Sequence, residues 1–242
     1  MPFSLKSLQG MSARDYINIL NDDAAKITYS QMGEDVVIHY LLTRKAGKMD
    51  AGFYVDVGAH HPRQFSNTKF LNIVGWRGIN IDASPASIAC FDLERPRDIN
   101  VCCGVGPTDA TMTFYQFANS AASTLSFEQA EIWQKELGWK MVGTTIVNVR
   151  PLNSILDEFL PSAQEIDYMN VDLEGFDSEV IRSLDFSRFR PKVLTIELHD
   201  VNNLALGQDQ AISYIVDNAY RLMSMNLMTF SFVDCRLPVL GA

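Results

Sequence analysis

The sequence predicts an α/β fold in which a parallel sheet carries helices on both faces. Strand-like apolar runs alternate with helix-like segments, and no internal repeat or low-complexity stretch interrupts them. Two of the runs end in acid and glycine, at residues 56–58 and 172–175, and another ends at Asp82. Because the carboxyl ends of parallel strands meet at one edge of a sheet, we expect these acids to lie along one rim, where open α/β sheets bind ligands.

Local signals predict the elements of the first half in order. Residues 66–74 carry apolar positions at helical spacing, and residues 78–82 form the next strand. Ser84 and Pro85 then supply the N-cap and the first-turn proline of a second helix. A third strand is predicted at residues 100–105. The side chains expected to be buried in the two helices are Phe70, Ile73, Val74, Ile88, Phe91 and Leu93.

The second half continues the alternation. Residues 111–117 predict a strand with one solvated side, and residues 144–149 predict another strand. Between them, Ser126 and Gln129 form a capping box that begins a helix, and residues 151–160 hold a short amphipathic helix. The last buried runs are residues 166–172 and residues 193–198, and the second of them brings Glu197, His199 and Asp200 to the rim.

The glycine turn after the first strand indicates a nucleoside-containing cofactor. Asp82, at the end of the next strand, can accept both hydrogen bonds of a ribose diol. A dinucleotide fingerprint needs a second and a third glycine, and this chain has His60 and Arg63 there. S-adenosylmethionine has no phosphate and offers an amino acid carboxylate to the turn, so the pattern favours it. Without Asp82, the glycine turn would be equally consistent with a tight turn after a strand that binds no ligand.

Composition bounds the class of protein. With 242 residues, 47% of them hydrophobic and 20% charged, the chain is expected to fold as one large α/β domain. A net charge of −9 without a dense Lys/Arg cluster argues against nucleic acid as a substrate. No apolar run has the length of a signal peptide or a membrane span, so we expect a cytoplasmic protein. Four cysteines without metal or redox spacing are interpreted as small core residues: Cys90, Cys102, Cys103 and Cys235.

Several motifs, taken in order, resemble the FkbM-type S-adenosylmethionine-dependent methyltransferases. The resemblance spans about residues 30 to 235, and the ordered set is far more specific than any one motif. The motifs are Ser30-Gln31-Met32-Gly33-Glu34-Asp35, Asp56-Val57-Gly58-Ala59, Ser66-Asn67-Thr68, Gly75-Trp76-Arg77-Gly78-Ile79-Asn80-Ile81-Asp82, Ser123-Thr124-Leu125, Asp172-Leu173-Glu174-Gly175 and Arg190-Pro191.

The resemblance implies a class I methyltransferase fold, a Rossmann-like three-layer sandwich whose seven-stranded sheet is mostly parallel with one antiparallel strand. It implies a methyltransferase domain at residues 30–242, and the apolar spacing of the preceding residues predicts a helical lead-in at residues 1–29. It also implies O-methylation of a hydroxyl on a sugar, a glycan or a natural product, so the expected partner is a small-molecule or glycan acceptor. Whether the chain forms a homo-oligomer stays open.

The resemblance also assigns cofactor contacts. Seven residues are carried over: Gln31 and Glu34 as a cap, Asp56, Gly58 and Ala59 at the methionine end, Asp82 at the ribose, and Ala83 near the adenine; three further cofactor contacts are expected at His60, Ser66 and Asp172. Relatives more often have a small polar residue at the position of His60, and several have Glu at that of Asp82. Plain helix capping by Ser30 is the alternative for the first motif.

A hydroxyl acceptor must lose a proton, and the candidates for a general base lie at the rim: His199, His60, Asp172 and Glu174. Strand alternation places Glu197 and His199 on one side of the chain. The alternatives are a rim His199 bonded to Asp200, and a His60 that binds the cofactor carboxylate. Asp177 is expected to cap the following helix.

A divalent metal is the lesser option, with hard oxygen ligands from Asp172, Glu174, Glu197 and Asp200. Two other functions stay open: a nucleotide-sugar oxidoreductase or epimerase, which would need a Tyr-x-x-x-Lys pair that this sequence does not show, and a non-catalytic cofactor-binding subunit. Residues 116–143, with Trp133 and Trp139, are either a lid that stacks on a sugar acceptor or core.

Overall fold

The structure is a computed structural model that describes residues 26–47, 50–199 and 206–237. Almost all of the predicted lead-in, and Asp200, fall outside these residues. Strands and helices alternate along the described chain, as expected. The helices are α1 (Glu34–Arg44), α2 (Lys69–Ile73), α3 (Pro85–Glu94), α4 (Phe127–Lys135), α5 (Leu152–Phe159), α6 (Asp177–Ser183) and α7 (Gln210–Asp217), with 3-10 turns at Ser120–Ala122 and Leu206–Gln208.

Seven strands form the main sheet in the order β3-β2-β1-β7-β8-β10-β9. They are β1 (Phe53–Val57), β2 (Arg77–Asp82), β3 (Ile99–Cys102), β7 (Tyr168–Val171), β8 (Val193–Glu197), β9 (Tyr220–Asn226) and β10 (Thr229–Asp234). The first five strands in the order pair in parallel, and β10 pairs antiparallel with both β8 and β9. This mostly parallel sheet with one reversed strand confirms the predicted class I methyltransferase architecture.

A second, three-stranded sheet lies beside the carboxyl ends of the main one. Its strands are β4 (Gly104–Gly106), β5 (Ala110–Phe117) and β6 (Met141–Pro151), in the order β4-β6-β5. The single strand predicted at residues 100–105 is therefore wrong, because the chain leaves the main sheet after Cys102 and joins the small sheet at Gly104. A side chain at Gly104 would lie 2.9 Å from both Leu125 and Val149, so the change of sheet needs a residue without one.

Helices cover both faces of the main sheet. Along β1, Val55 and Val57 belong to the apolar core that includes α5, α6 and α7, whereas Tyr54 belongs to the core that includes α1. Successive strand residues point to opposite faces, so a strand that is apolar throughout is buried on both. That is why the strand runs are continuous rather than alternating.

The predicted caps of α3 and α4 agree with the structure, whereas several of the predicted buried positions do not. Ser84 Oγ accepts from the Ser87 amide and Ser126 Oγ from the Gln129 amide, as the motifs predict. In contrast, Ile73 and Val74 are exposed and Leu93 is 83% exposed. The expected burial of all four cysteines is also wrong, since Cys102 and Cys235 are exposed; all four thiols are free.

Candidate functional site

The site begins where the chain turns in opposite directions from β1 and β7, the position at which open α/β sheets bind ligands. Gly58, just after β1, has φ +79, and a Cβ placed there would lie 1.7 Å from the Asp172 carbonyl oxygen. The Asp172 amide donates to the Val57 carbonyl at 2.9 Å, which fixes this approach. The glycine is therefore required by both its conformation and its neighbour.

A cavity of about 320 Å³ opens above these strand ends. All ten predicted cofactor contacts line it: Gln31, Glu34, Asp56, Gly58, Ala59, His60, Ser66, Asp82, Ala83 and Asp172. Glu174 and Glu197 line it as well. Residues from five separate stretches of sequence thus converge on one space. We divide it below into an end around Asp82, called the donor end because the sequence predicts the methyl donor there, and an acidic end at Glu174 and Glu197, beside which His199 lies.

Asp82 is held rigidly at the donor end. Its carboxylate oxygens accept the backbone N–H groups of His60 at 2.8 Å and of Ser84 at 2.7 Å. Burial raises the pKa of the Asp82 carboxyl to about 6, with a smaller contribution from the Asp56 charge. Since each carboxylate oxygen has two lone pairs, both can still accept a hydroxyl from a ligand.

His60 follows in the same turn with φ 53, a left-handed conformation that is uncommon for a residue with a side chain. Its Nε2 lies 3.0 Å from the Ser120 hydroxyl, and its Nδ1 is buried without a hydrogen-bond partner among the described residues. Burial, and then the neighbouring His61, lower the pKa of His60, so the ring is neutral. A neutral ring nitrogen without a partner in the cavity wall fits a polar ligand group.

Asp56 is a different kind of residue from Asp82. Although it lines the cavity, its oxygens already accept the Thr68 hydroxyl at 2.6 Å and the Asn170 amide at 3.1 Å. Burial raises its pKa. Its contacts are to side chains rather than to backbone N–H groups, and they hold β1, β7 and the segment before α2 together.

Sequence reasoning missed Arg95, which is 1% exposed. Its guanidinium donates to the side chains of Thr68 at 2.8 Å and Ser66 at 2.9 Å, and also to the Pro62 carbonyl. It thereby fastens residues 62–68, one wall of the cavity. No local signal reveals it, since an Arg between the end of a surface helix and Pro96 normally predicts a solvated charge.

The acidic end joins two strand ends. His199 Nε2 lies 3.2 Å from Glu174 Oε2 and 3.4 Å from Glu197 Oε2, so the predicted meeting of Glu197 and His199 on one side is confirmed. Burial raises the pKa of Glu174 to about 7 and that of Glu197 to about 8. Burial and the Glu197 charge raise the pKa of Asp172 well above its ordinary value, and the Glu174 contact raises that of His199.

The backbone that presents Glu174 is fastened at two points. Glu174 has φ 53, and its carbonyl accepts the Thr124 hydroxyl at 2.7 Å. Asp177 accepts the amides of Leu173 at 2.7 Å and Gly175 at 3.0 Å. Asp177 is the first residue of α6 and closes the preceding loop, so its predicted N-cap role is wrong.

The first motif and the aromatic segment also have defined places. The predicted Ser30 cap is wrong in position: α1 begins at Glu34 after Gly33, and Ser30 Oγ accepts from the Asp35 amide at 3.2 Å. Neither Trp133 nor Trp139 is among the described residues that line the cavity. Trp133 is buried with its ring edge-on to His199, 6.4 Å between centroids.

The fold and this rim define a doubly wound α/β protein with a ligand cavity at its switch point. The model of the methyltransferase FkbM domain matches residues 56–222, so the chain belongs to the FkbM methyltransferase family. A solved chain described as methyltransferase FkbM from Methylobacillus flagellatus KT is 15% identical, with a TM-score of 0.45. The match covers 82% of this chain and 50% of that one, so this chain spans about half its length. No curated protein matches.

Across the described ranges 26–47, 50–199 and 206–237, every helix is too short or too polar to cross a membrane.

Proposed function

We propose that this methyltransferase uses S-adenosylmethionine to methylate a hydroxyl of a sugar, a glycan or a natural product. The observation that carries the proposal is a single cavity with the Asp82 carboxylate at one end and Glu174 and Glu197 at the other, where His199 contacts both glutamates from behind the lining. When bound, the cofactor supplies an electrophilic methyl group on a sulfonium. The protein then has to orient the donor, orient the acceptor oxygen and remove its proton.

At the donor end, the Asp82 carboxylate would accept the ribose hydroxyls, and Ala83 would lie beside the adenine. Gly58 and Ala59 leave room for the amino acid portion, and the neutral His60 ring offers it a hydrogen bond. His60 is therefore a cofactor contact rather than a base, since its lowered pKa and its position at the donor end fit that role.

Gln31 and Glu34 would close the cavity over the cofactor. Glu34 accepts the Met32 amide at 2.8 Å, and the Asn226 side chain donates to the Met32 carbonyl at 3.0 Å. This ties the first motif to the end of β9, and the turn after it, at Leu227 and Met228, also lines the cavity. The hydrogen bond between Asn226 and Met32 thus connects the two segments on either side of the cavity opening.

At the acidic end, Asp172 and Glu174 line the cavity and would engage the acceptor hydroxyl, whereas His199 lies outside the lining and would act through its contact with Glu174. Carboxylates crowded in a buried place favour the binding of a proton, a cation or a hydrogen-bond donor. Methyl transfer also requires the acceptor oxygen to lie in line with the methyl group, and we assign that positioning to this end of the cavity. The four unpaired thiols support a reducing, cytoplasmic location.

Calorimetric titration with S-adenosylhomocysteine, beside NAD, tests the proposal. We expect the first ligand to bind and NAD not to bind. Asp82→Asn, which keeps the shape but loses the charge, should weaken the affinity roughly 10- to 100-fold, the range for hydrogen bonds to a charged group. Asp109→Asn, at an exposed acid, serves as the matched control and should leave it unchanged. Preference for NAD, or equal affinity in both variants, would overturn the proposal.

A further inference from the structure

Three side chains at the acidic end point their potential ligand atoms at one another. Glu174 comes from the loop after β7, whereas Glu197 and His199 come from the end of β8. One carboxylate oxygen of each glutamate and one ring nitrogen of His199 all lie within 4.8 Å of one another. That separation leaves a space for one ion between them.

The hydrogen bonds within the cluster do not satisfy these atoms. Glu197 is 9% exposed, and its Oε2 is buried without a hydrogen-bond partner in the described part of the chain. The same holds for His199 Nε2. The two carboxylate oxygens lie within ion-pair distance of this nitrogen, at 3.2 and 3.4 Å, although neither contact has hydrogen-bond geometry. Buried polar atoms left in this state are costly unless a ligand completes them.

We propose that Glu174, Glu197 and His199 bind a divalent cation through Glu174 Oε2, Glu197 Oε2 and His199 Nε2. Two carboxylates and one imidazole form a mixed oxygen and nitrogen donor set, unlike the all-oxygen sites typical of Mg²⁺ and Ca²⁺, and such a set can bind a transition metal ion such as Mn²⁺ or Zn²⁺. This set differs from the one expected from sequence, since it contains His199 and does not contain Asp172; Asp200 lies outside the described residues.

The surroundings orient the ligands. His199 Nδ1 lies 3.2 Å from the Met228 sulfur, and Trp133 packs edge-on to the ring, so Nε2 is the nitrogen that faces the carboxylates. Asp172 interacts directly with Glu197 from outside the ligand set. Such outer contacts fix the orientation of metal ligands and tune their affinity.

The position of the cation assigns the class of acceptor, and this step rests on the proposed function. Glu174 and Glu197 line the cavity, so the remaining coordination positions of the ion face the space where the acceptor would bind. Two neighbouring oxygens of one molecule can occupy two such positions. The acceptor is therefore a compound with a hydroxyl beside a second oxygen, such as a vicinal diol, and the cation lowers the pKa of the bound hydroxyl.

Titration of Mn²⁺ into the metal-stripped full chain, followed by the electron paramagnetic resonance signal of the free ion, tests the site. We expect one saturable site per chain. Glu197→Gln should weaken Mn²⁺ binding by at least about 10-fold, as for losses in a metal's ligand shell. His199→Asn is a second variant in case the first does not fold, which its thermal unfolding would reveal. Glu179→Gln, at an exposed acid on α6, is the matched control.

No saturable Mn²⁺ site in the natural chain would overturn the inference, and so would equal affinity in both ligand variants and the control. Titration of S-adenosylhomocysteine into the same preparation separates this failure from that of the proposed function. Cofactor binding without Mn²⁺ binding rejects only the cation, whereas Mn²⁺ binding without cofactor binding rejects only the methyl donor. If the chain binds Mn²⁺ but does not methylate diol acceptors in preference to other hydroxyl compounds, only the acceptor class is rejected.

Discussion

The two ends of the cavity differ in how their charged groups are satisfied. At the donor end, both oxygens of Asp82 accept backbone N–H groups, and the adjoining wall is fastened by the buried Arg95. At the acidic end, carboxyl groups face one another and one histidine, and two of their buried atoms make no hydrogen bond among the described residues. The protein therefore fixes the donor end by its own hydrogen bonds, whereas the acidic end keeps buried polar atoms without hydrogen bonds among the described residues.

Gly58 lies between the two ends of the cavity, so its substitution should have the largest effect on both stability and ligand binding. In Gly58→Ala, the new Cβ would lie 1.7 Å from the Asp172 carbonyl oxygen, at φ +79. We expect a loss of about 4 kcal/mol or more in the free energy of unfolding, as for a buried steric clash with a strained backbone, and no binding of S-adenosylhomocysteine. Urea denaturation and calorimetry measure the two effects.

Gly138→Ala is the matched control for this prediction. Gly138 also has a positive φ, of +65, but nothing lies within 4 Å of its Cβ position. Only the conformational cost remains, about 1 to 2 kcal/mol, with normal ligand binding. If both substitutions cost the same, the close approach of β1 and β7 would not be what requires Gly58.

The second-largest effect is expected from Arg95, which preorganises the donor end. Arg95→Met removes a buried guanidinium that donates to Ser66, Thr68 and the Pro62 carbonyl. We expect a loss of about 3 kcal/mol in the free energy of unfolding, because the partners are left without donors. Weaker S-adenosylhomocysteine binding should accompany it, since the wall at residues 62–68 is released.

Arg97→Met tests the same substitution at an exposed position two residues further on. Its effect on unfolding should stay within about 0.5 kcal/mol. Retention of full S-adenosylhomocysteine affinity in a folded Arg95→Met protein would contradict the fastening role. Mn²⁺ affinity should be unchanged in both variants, because Arg95 does not contact the acidic end.

The same contrast explains what the sequence could predict. The sheet and its rim follow from continuous apolar runs that end in Asp56, Asp82 and Asp172, because a local pattern fixes both the strand and its last residue. Arg95 and the change of sheet at Cys103 could not be predicted. Burial of a charge and a strand's choice of partner depend on contacts between residues far apart in sequence, which no local window contains.

The acidic end was predicted in part for the same reason. Its members were found as rim acids, and alternation placed Glu197 beside His199. Which of them converge depends on the left-handed turn at Glu174, which is held by Asp177 within the same loop and by Thr124 from a distant segment. The sequence thus indicates candidates for this end, and only the three-dimensional arrangement selects His199 over Asp172 as the third potential ligand of an ion.

The smallest effect that we expect is a pH dependence confined to the donor end. Burial raises the pKa of Asp82 to about 6, and the Asp56 carboxyl faces it from the end of β1. Ribose hydroxyls donate to the ionised carboxylate, so binding requires Asp82 to lose its proton. The affinity for S-adenosylhomocysteine should be constant above pH 7 and should fall about tenfold per pH unit once the pH is below 6, as linkage to one proton requires.

Asp82→Asn is the control for this prediction, and its affinity should be weaker but independent of pH across the same range. A parallel fall in both proteins would show that the titrating group lies elsewhere in the cavity, and that the donor end is less independent of the acidic end than their separate hydrogen-bond networks imply.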